Sequence, residues 1–172
     1  MIYRLSSKFI VSSETAQFKD RSNNDKQKTI NEKPKASITM ATILRFEDLE
    51  IWQLARILYV KISAVTETLR ESKQFRFAEQ MRSAAGSIMD NIAEGFERNS
   101  RLEFINSLSF SKGECGELKS QLYRALDNKY IDAKQFEELY EDTDKESKKI
   151  ASFINYLNSS VVKGLKFKGR LK

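Results

Sequence analysis

Met81 to Arg98, MRSAAGSIMDNIAEGFER, is the stretch whose reading decides the architecture. Its large apolar side chains, Met81, Ile88 and Ile92, recur at helical spacing. Between the first two, after Arg82, stand only small residues: Ser83, Ala84, Ala85, Gly86 and Ser87. A Gly inside a helix costs roughly 1 kcal/mol relative to Ala. Gly86 and its small neighbours therefore predict that another backbone comes close at this point. The helix is expected to stop at Gly95, where a residue without Cβ can take the left-handed conformation that closes a helix.

Amphipathic patterns lie on either side. Upstream, Glu47, Asp48 and Glu50 place acid in the first turn of a helix starting near Phe46, where it complements the helix dipole. Ile51, Leu54, Ala55, Leu58, Ile62, Val65 and Leu69 then mark one face over more than twenty residues, with Trp52 and Tyr59 beside it. Arg70 to Gln74 form a short link. The second helix carries Phe77 or Ala78, Met81, Ala85, Ile88 and Ile92. Asn99 or Ser100 caps the third, and Ser100 with Glu103 fits a capping box. Phe104, Leu108, Ser111, Cys115, Leu118, Leu122 and Ala125 follow in alternating steps of four and three, the seam of a left-handed bundle. Asn128 ends this helix, and Asp132 is the N-cap expected for a fourth. That helix carries Phe136, Leu139 or Tyr140, Thr143, Ser147, Ile150, Ile154 and Leu157, with EDTDKESKK read as a solvated charge run.

Four long helices with short links predict an all-α, antiparallel up-and-down four-helix bundle over 45–158. Residues 1–44 are polar and unperiodic and read as a disordered extension. Residues 159–172 read as a basic tail. Whether translation starts at Met1 or Met40 is left open by the sequence. A turn centred near residue 98 sets residue i opposite roughly residue 197 minus i. Gly86 then meets Ser111 near Gly113, Asn91 meets Asn106, and Arg82 meets Cys115 within reach of Glu114 or Glu117, where a partly buried ion pair is expected. Trp52, Tyr59, Phe96, Phe104 and Phe110 are more large side chains than one small bundle is expected to bury, which points to an oligomer.

Arg82, Ser87-Ile88, Asn91-Ile92-Ala93-Glu94-Gly95 and Arg98 together resemble the signature of the bacterial 23S ribosomal RNA intervening-sequence proteins. Phe46-Glu47-Asp48-Leu49 with Trp52, the Ser111–Leu118 segment with Glu117, and Tyr130-Ile131 extend the resemblance over about 45–158. Asn128-Lys129 departs from it, standing where a Gly is common. Glu114-Cys115 replaces smaller residues, and the extension lies outside the pattern. The resemblance implies a homopentameric bundle without established catalysis. Genes of such proteins often sit within inserts in ribosomal RNA genes. A related bundle serves as accessory protein to a retroelement reverse transcriptase and binds nucleic acid. The resemblance thus implies RNA, DNA, a reverse transcriptase or another protein as partner.

The net charge of +6 is unevenly spread. Residues 46–157 hold 16 Lys and Arg against 20 Asp and Glu, whereas 1–45 and 158–172 are each net +5. Basicity therefore belongs to the ends of the chain. Cationic candidates for nucleic acid are Lys163, Lys166, Lys168, Arg170 and Lys172 in the tail, with Arg98 and Arg101 at the turn between helices two and three forming a second ring. Arg82, Gly86, Ser87, Asn91, Glu94, Gly95 and Glu117 are the motif residues, read as structural.

There is no His, which removes His-dependent metal sites and the commonest general base. The single Cys, on the core seam, reads as a small core residue and suits a reducing, cytoplasmic setting. Asp90 and Glu94 share a face but lack metal ligands or a phosphate loop nearby, and read as solvated or as partners of Arg98 and Arg101. No cofactor, no catalysis and no membrane span are expected. The expected function is a non-enzymatic, oligomeric, RNA-associated bundle working through tail and rim. The alternative is a protein-interaction scaffold with no nucleic-acid role.

Overall fold

A computed structural model describes residues 3–4, 42–98 and 100–159. Four antiparallel helices form the bundle: α1 Glu50–Glu71, α2 Phe75–Glu97, α3 Arg101–Asp127 and α4 Ala133–Ser159. Each packs on its sequence neighbours, and α4 closes back on α1. Most of the expected extension (5–41) and of the expected tail (160–172) lies outside the described residues. Near the chain's start, β1 Tyr3–Arg4 pairs antiparallel with β2 Thr42–Ile43. Ile43 is buried and belongs to the core, upstream of the expected boundary at 45.

The first helix begins later than its pattern suggested. Phe46–Asp48 form a 3₁₀ turn, Leu49 is extended and fully buried, and α1 starts at Glu50. Leu49 turns inward at the point where one continuous helix would have carried it elsewhere. Ser100 caps α3 by accepting the Glu103 N–H at 3.4 Å. Asp132 caps α4 in a reciprocal box, accepting the Gln135 N–H at 2.7 Å while its own N–H donates to Gln135 Oε1 at 3.1 Å.

Both α1 and α3 close with a left-handed Lys. Lys73 has φ 61° and Lys129 φ 58°. The N–H of Lys73 donates to Arg70 and that of Gln74 to Leu69, and Lys129 and Tyr130 repeat the arrangement on Leu126 and Ala125. These are Schellman closures, in which Gly is the favoured left-handed residue. The departure at Asn128-Lys129 therefore leaves the helix end closed, with a Lys accepting the strained conformation.

The α1, α2 and α3 stripes are buried as read, apart from the half-buried Leu54. The α4 face differs. Leu139, Thr143, Glu146, Ile150, Phe153 and Leu157 are its buried residues, whereas Phe136, Ser147 and Ile154 lie at its edges. The charge run is thus not wholly solvated, because Glu146 is in the core. Phe153 joins Phe104 edge-on at 5.6 Å, and Phe104 meets Phe96 at 6.0 Å. The bundle buries Phe96 and Phe104 and half-buries Trp52 and Tyr59, so of the five large side chains expected to exceed its capacity only Phe110 stays exposed.

The glycines correct the opening reading. Gly95 is helical and buried, and α2 continues through it to Glu97. No described Gly has positive φ. A Cβ at Gly95 would stand 2.6 Å from Ser107 Cβ and 2.9 Å from Phe104 Cδ2, so α2 and α3 approach closely at this glycine. A Cβ at Gly86 would meet only Tyr59 of α1, at 3.7 Å, and Gly113 and Gly116 face open space. The expected meeting of small patches at Gly86 and Gly113 therefore fails. The register is shifted by two to five residues: Ser111 donates its hydroxyl to the Ile88 carbonyl at 2.8 Å, and Gly95 faces Phe104 and Ser107.

Candidate nucleic-acid interface

One end of the bundle gathers the start of α1, the α2–α3 turn and the last turn of α4. This follows from the alternating helix directions, and Arg101 ties it together by donating from Nη1 to the Leu157 carbonyl at 3.3 Å. The chain leaves α4 at Ser159, so the tail starts beside the α2–α3 turn. The α2–α3 turn with Arg98 and Arg101 and the point where the tail begins thus share one end. Lys163, Lys166, Lys168, Arg170 and Lys172 themselves lie outside the described residues.

The rim cations are engaged with protein groups. Arg98 is exposed and paired with Glu94, one turn earlier on α2. That carboxylate, and Glu103 more weakly, hold the Arg98 guanidinium above its usual range. Arg101 is half-buried against the end of α4. Glu97 and Glu103 are exposed at the same turn. A phosphate approaching here meets acids as well as guanidinium groups, so the rim alone is a poor anion site.

The motif residues divide by role. Arg82 is half-buried and pairs with Glu67 of α1, not with Glu114 or Glu117 of α3. The register explains the correction: α1 and α2 lie alongside each other with Arg70 also near Glu79 at 3.7 Å, which turns this edge of α2 towards α1. Gly86 faces Tyr59, and Ser87 and Asn91 are half-buried. Asn106, expected opposite Asn91, is exposed. Glu94 serves Arg98, Gly95 serves the α2–α3 contact, and Glu117, on the exposed side of α3, accepts from Gln121 Nε2 at 2.8 Å. Asp90 is exposed.

Cys115 is fully buried, and burial, reinforced by Glu146, pushes its thiol up to about 12. A thiol held there is protonated at neutral pH and inert as a nucleophile. Among the described residues no group of three His, Cys, Asp or Glu side chains comes together to hold a metal ion. No described helix is long and apolar enough to cross a membrane.

Sequence reasoning named Trp52 and Phe110 but missed the rest of the exposed apolar surface. Ile57 and Val60 of α1 are exposed beside the half-buried Trp52, and with Gln53, Arg56 and Lys61 they line an open cavity of about 580 Å³. Leu102 and Phe110 are exposed on α3. For Ile57, Val60 and Leu102 the signal in the sequence was present but unused, because they fall between the core positions of their helices.

Comparison with known proteins agrees with this architecture. No curated protein matches the chain. Among solved structures, a protein of unknown function from the S23 ribosomal protein family of Bacteroides thetaiotaomicron is similar at 28% identity, over 60% of this chain and 97% of that one, with a TM-score of 0.58. The family model of the 23S rRNA-intervening sequence protein matches residues 47–152, most of the four helices and all three links between them. The chain belongs to the 23S rRNA-intervening sequence protein family.

Proposed function

We propose that the chain is a non-enzymatic, oligomeric module that associates with RNA through its C-terminal tail, with the α2–α3 rim in a secondary role. The observation that carries this reading is the partition of charge. The bundle span 46–157 has more acid than base, Arg98 is matched by Glu94, and the span 158–172, with five cations and no acid, begins at the same end. An oligomer multiplies those tails, and a pentamer would bring 25 tail cations together. Exposed Ile57, Val60, Leu102 and Phe110 are what support self-association. The buried lone Cys goes with a cytoplasmic setting.

Binding of this kind works by counterion release and tolerates sequence, with a log–log salt slope of roughly −0.7 per phosphate neutralised on single strands. The test is titration of single-stranded RNA at several salt concentrations, with the full chain and with a chain lacking 159–172. A steep salt dependence that flattens on deletion supports the reading. Binding unchanged by the deletion moves the site onto the bundle. No binding at low salt favours the scaffold, whose docking surface would be the apolar face of α1. Light scattering tests the oligomer, and a monomer mass at micromolar concentration removes it.

A further inference from the structure

Glu146 sits in the core with 1% of its surface exposed. Neither carboxyl oxygen has a hydrogen-bond partner among the described residues. An ionised carboxylate is far more costly to bury than a carboxylic acid. Its charged and titratable surroundings come from three helices. Glu50, the first residue of α1, brings a second carboxylate; Cys115 of α3 is close enough for the two groups to affect each other; and Lys145 and Lys149 flank it on α4. Burial, reinforced by Glu50 and opposed by Lys149 and Lys145, holds the Glu146 carboxyl well above the usual carboxylate range.

Lys149 has another commitment. Its Nζ donates to both Glu50 carboxylate oxygens, at 2.9 and 3.0 Å, across the seam between α1 and α4. Further along the same seam Lys61 binds Glu138 at 2.6 Å and Asp142 at 2.7 Å. Polar bridges thus close this seam, and the one beside Glu146 has a single lysine for two acids. We propose that Glu146 is a proton-operated latch on the α1–α4 seam. Neutral, it leaves Lys149 to Glu50 and the seam stays shut. Ionised, it competes with Glu50 for Lys149 and draws water in, and the first turns of α1 part from α4. Glu146 is the middle residue of α4, so the latch works at mid-bundle, where α1 begins.

The sign follows from linkage. In the open state the carboxyl titrates near its ordinary value of about 4.3, and in the closed state well above it. Between those values the open state binds fewer protons, so opening becomes about tenfold more favourable for each unit of pH. Below the ordinary value both states hold the proton and the latch is fully shut.

Cys115 is the only cysteine of the chain, fully buried and beside Glu146, so its modification by a disulfide reagent such as DTNB reports opening. Thiolate formation in the open state alone raises the rate about tenfold per pH unit below about 8.5. The full wild-type chain is therefore expected to label with a slope of about 2 in log rate against pH, until Glu146 titrates in the closed state. Glu146→Gln keeps the shape without the charge, and its slope should be about 1. Two pH units then separate the two chains by a further factor of about 100. Glu50→Gln removes the competing acid and should bring the break in slope to lower pH, which keeps the test decisive if Glu146→Gln folds poorly. A slope of 1 in the wild type, or equal slopes in wild type and Glu146→Gln, overturns the latch, as does a Glu50→Gln break that stays in place.

Discussion

Replacing Gly95 by Ala should weaken the bundle, although the same change strengthens an ordinary helix. In a helix interior the substitution gains roughly 1 kcal/mol from backbone entropy and propensity. At Gly95 the new methyl would lie 2.6 Å from Ser107 Cβ, 2.9 Å from Phe104 Cδ2 and 3.0 Å from Ser107 Oγ. Favourable carbon contacts need about 3.5–4.0 Å. Ser107 Cβ is fixed to the α3 backbone and cannot rotate away. Phe104 is fully buried and wedged between Phe96 and Phe153. The helices must therefore move apart, at a cost of about 1–3 kcal/mol for an overpacked core. With both neighbours immobile the upper part of that range applies, leaving a net loss of up to about 2 kcal/mol. Urea unfolding followed by circular dichroism measures it. Gly113→Ala and Gly116→Ala serve as controls, since nothing lies within 4 Å of either new methyl, and each should gain about 0.5–1 kcal/mol. Ser107→Gly in the Gly95→Ala background should recover part of the loss, which a double-mutant cycle isolates. If Gly95→Ala stabilises as much as Gly113→Ala, the close contact is not what keeps this glycine, and the packing argument fails.

Other perturbations follow from the same geometry. Lys73→Gly and Lys129→Gly relieve left-handed residues at the ends of α1 and α3, and each should raise stability by about 1 kcal/mol in thermal or urea melts; a loss at either site would mean the Lys side chain makes a compensating contact. Arg82→Ala removes a pair whose Glu67 partner is largely exposed, so it should cost about 1 kcal/mol or less. A loss of 3–5 kcal/mol, the range for a broken buried pair, would show that Arg82 has a buried partner after all.

How much was legible in advance depends on what each residue answers to. The stripes of α1, α2 and α3 and the caps at Ser100 and Asp132 answer to helical periodicity and to backbone donors a few residues away. Both are local, and both were readable. The fourth stripe was misread because Glu146 and Phe153 compete with Ser147 and Ile154 for the core, and a charged residue was not credited with winning. Only the angle at which α4 meets α1 and α3 chooses between those faces. Of the candidate site, the charge partition was legible and the pairing of Arg98 with Glu94 followed from its one-turn spacing. The partner of Arg82 was not, since it depends on which neighbouring helix that edge of α2 turns towards.

Gly95 separates the two kinds of information most sharply. The sequence alone determined that α2 and α3 are antiparallel neighbours joined by a short capped turn, because apolar spacing and link length leave little choice. It could not say whether Gly95 supplied conformational freedom or absence of bulk, since both demands select the same residue. The tertiary structure decided for absence of bulk, by setting Ser107 and Phe104 against it. It likewise decided that the three other described glycines meet no such contact, that Lys accepts the left-handed closures, and that Glu146 turns inward. Periodicity is carried by one helix at a time, whereas contact distance and burial exist only once a second helix has docked.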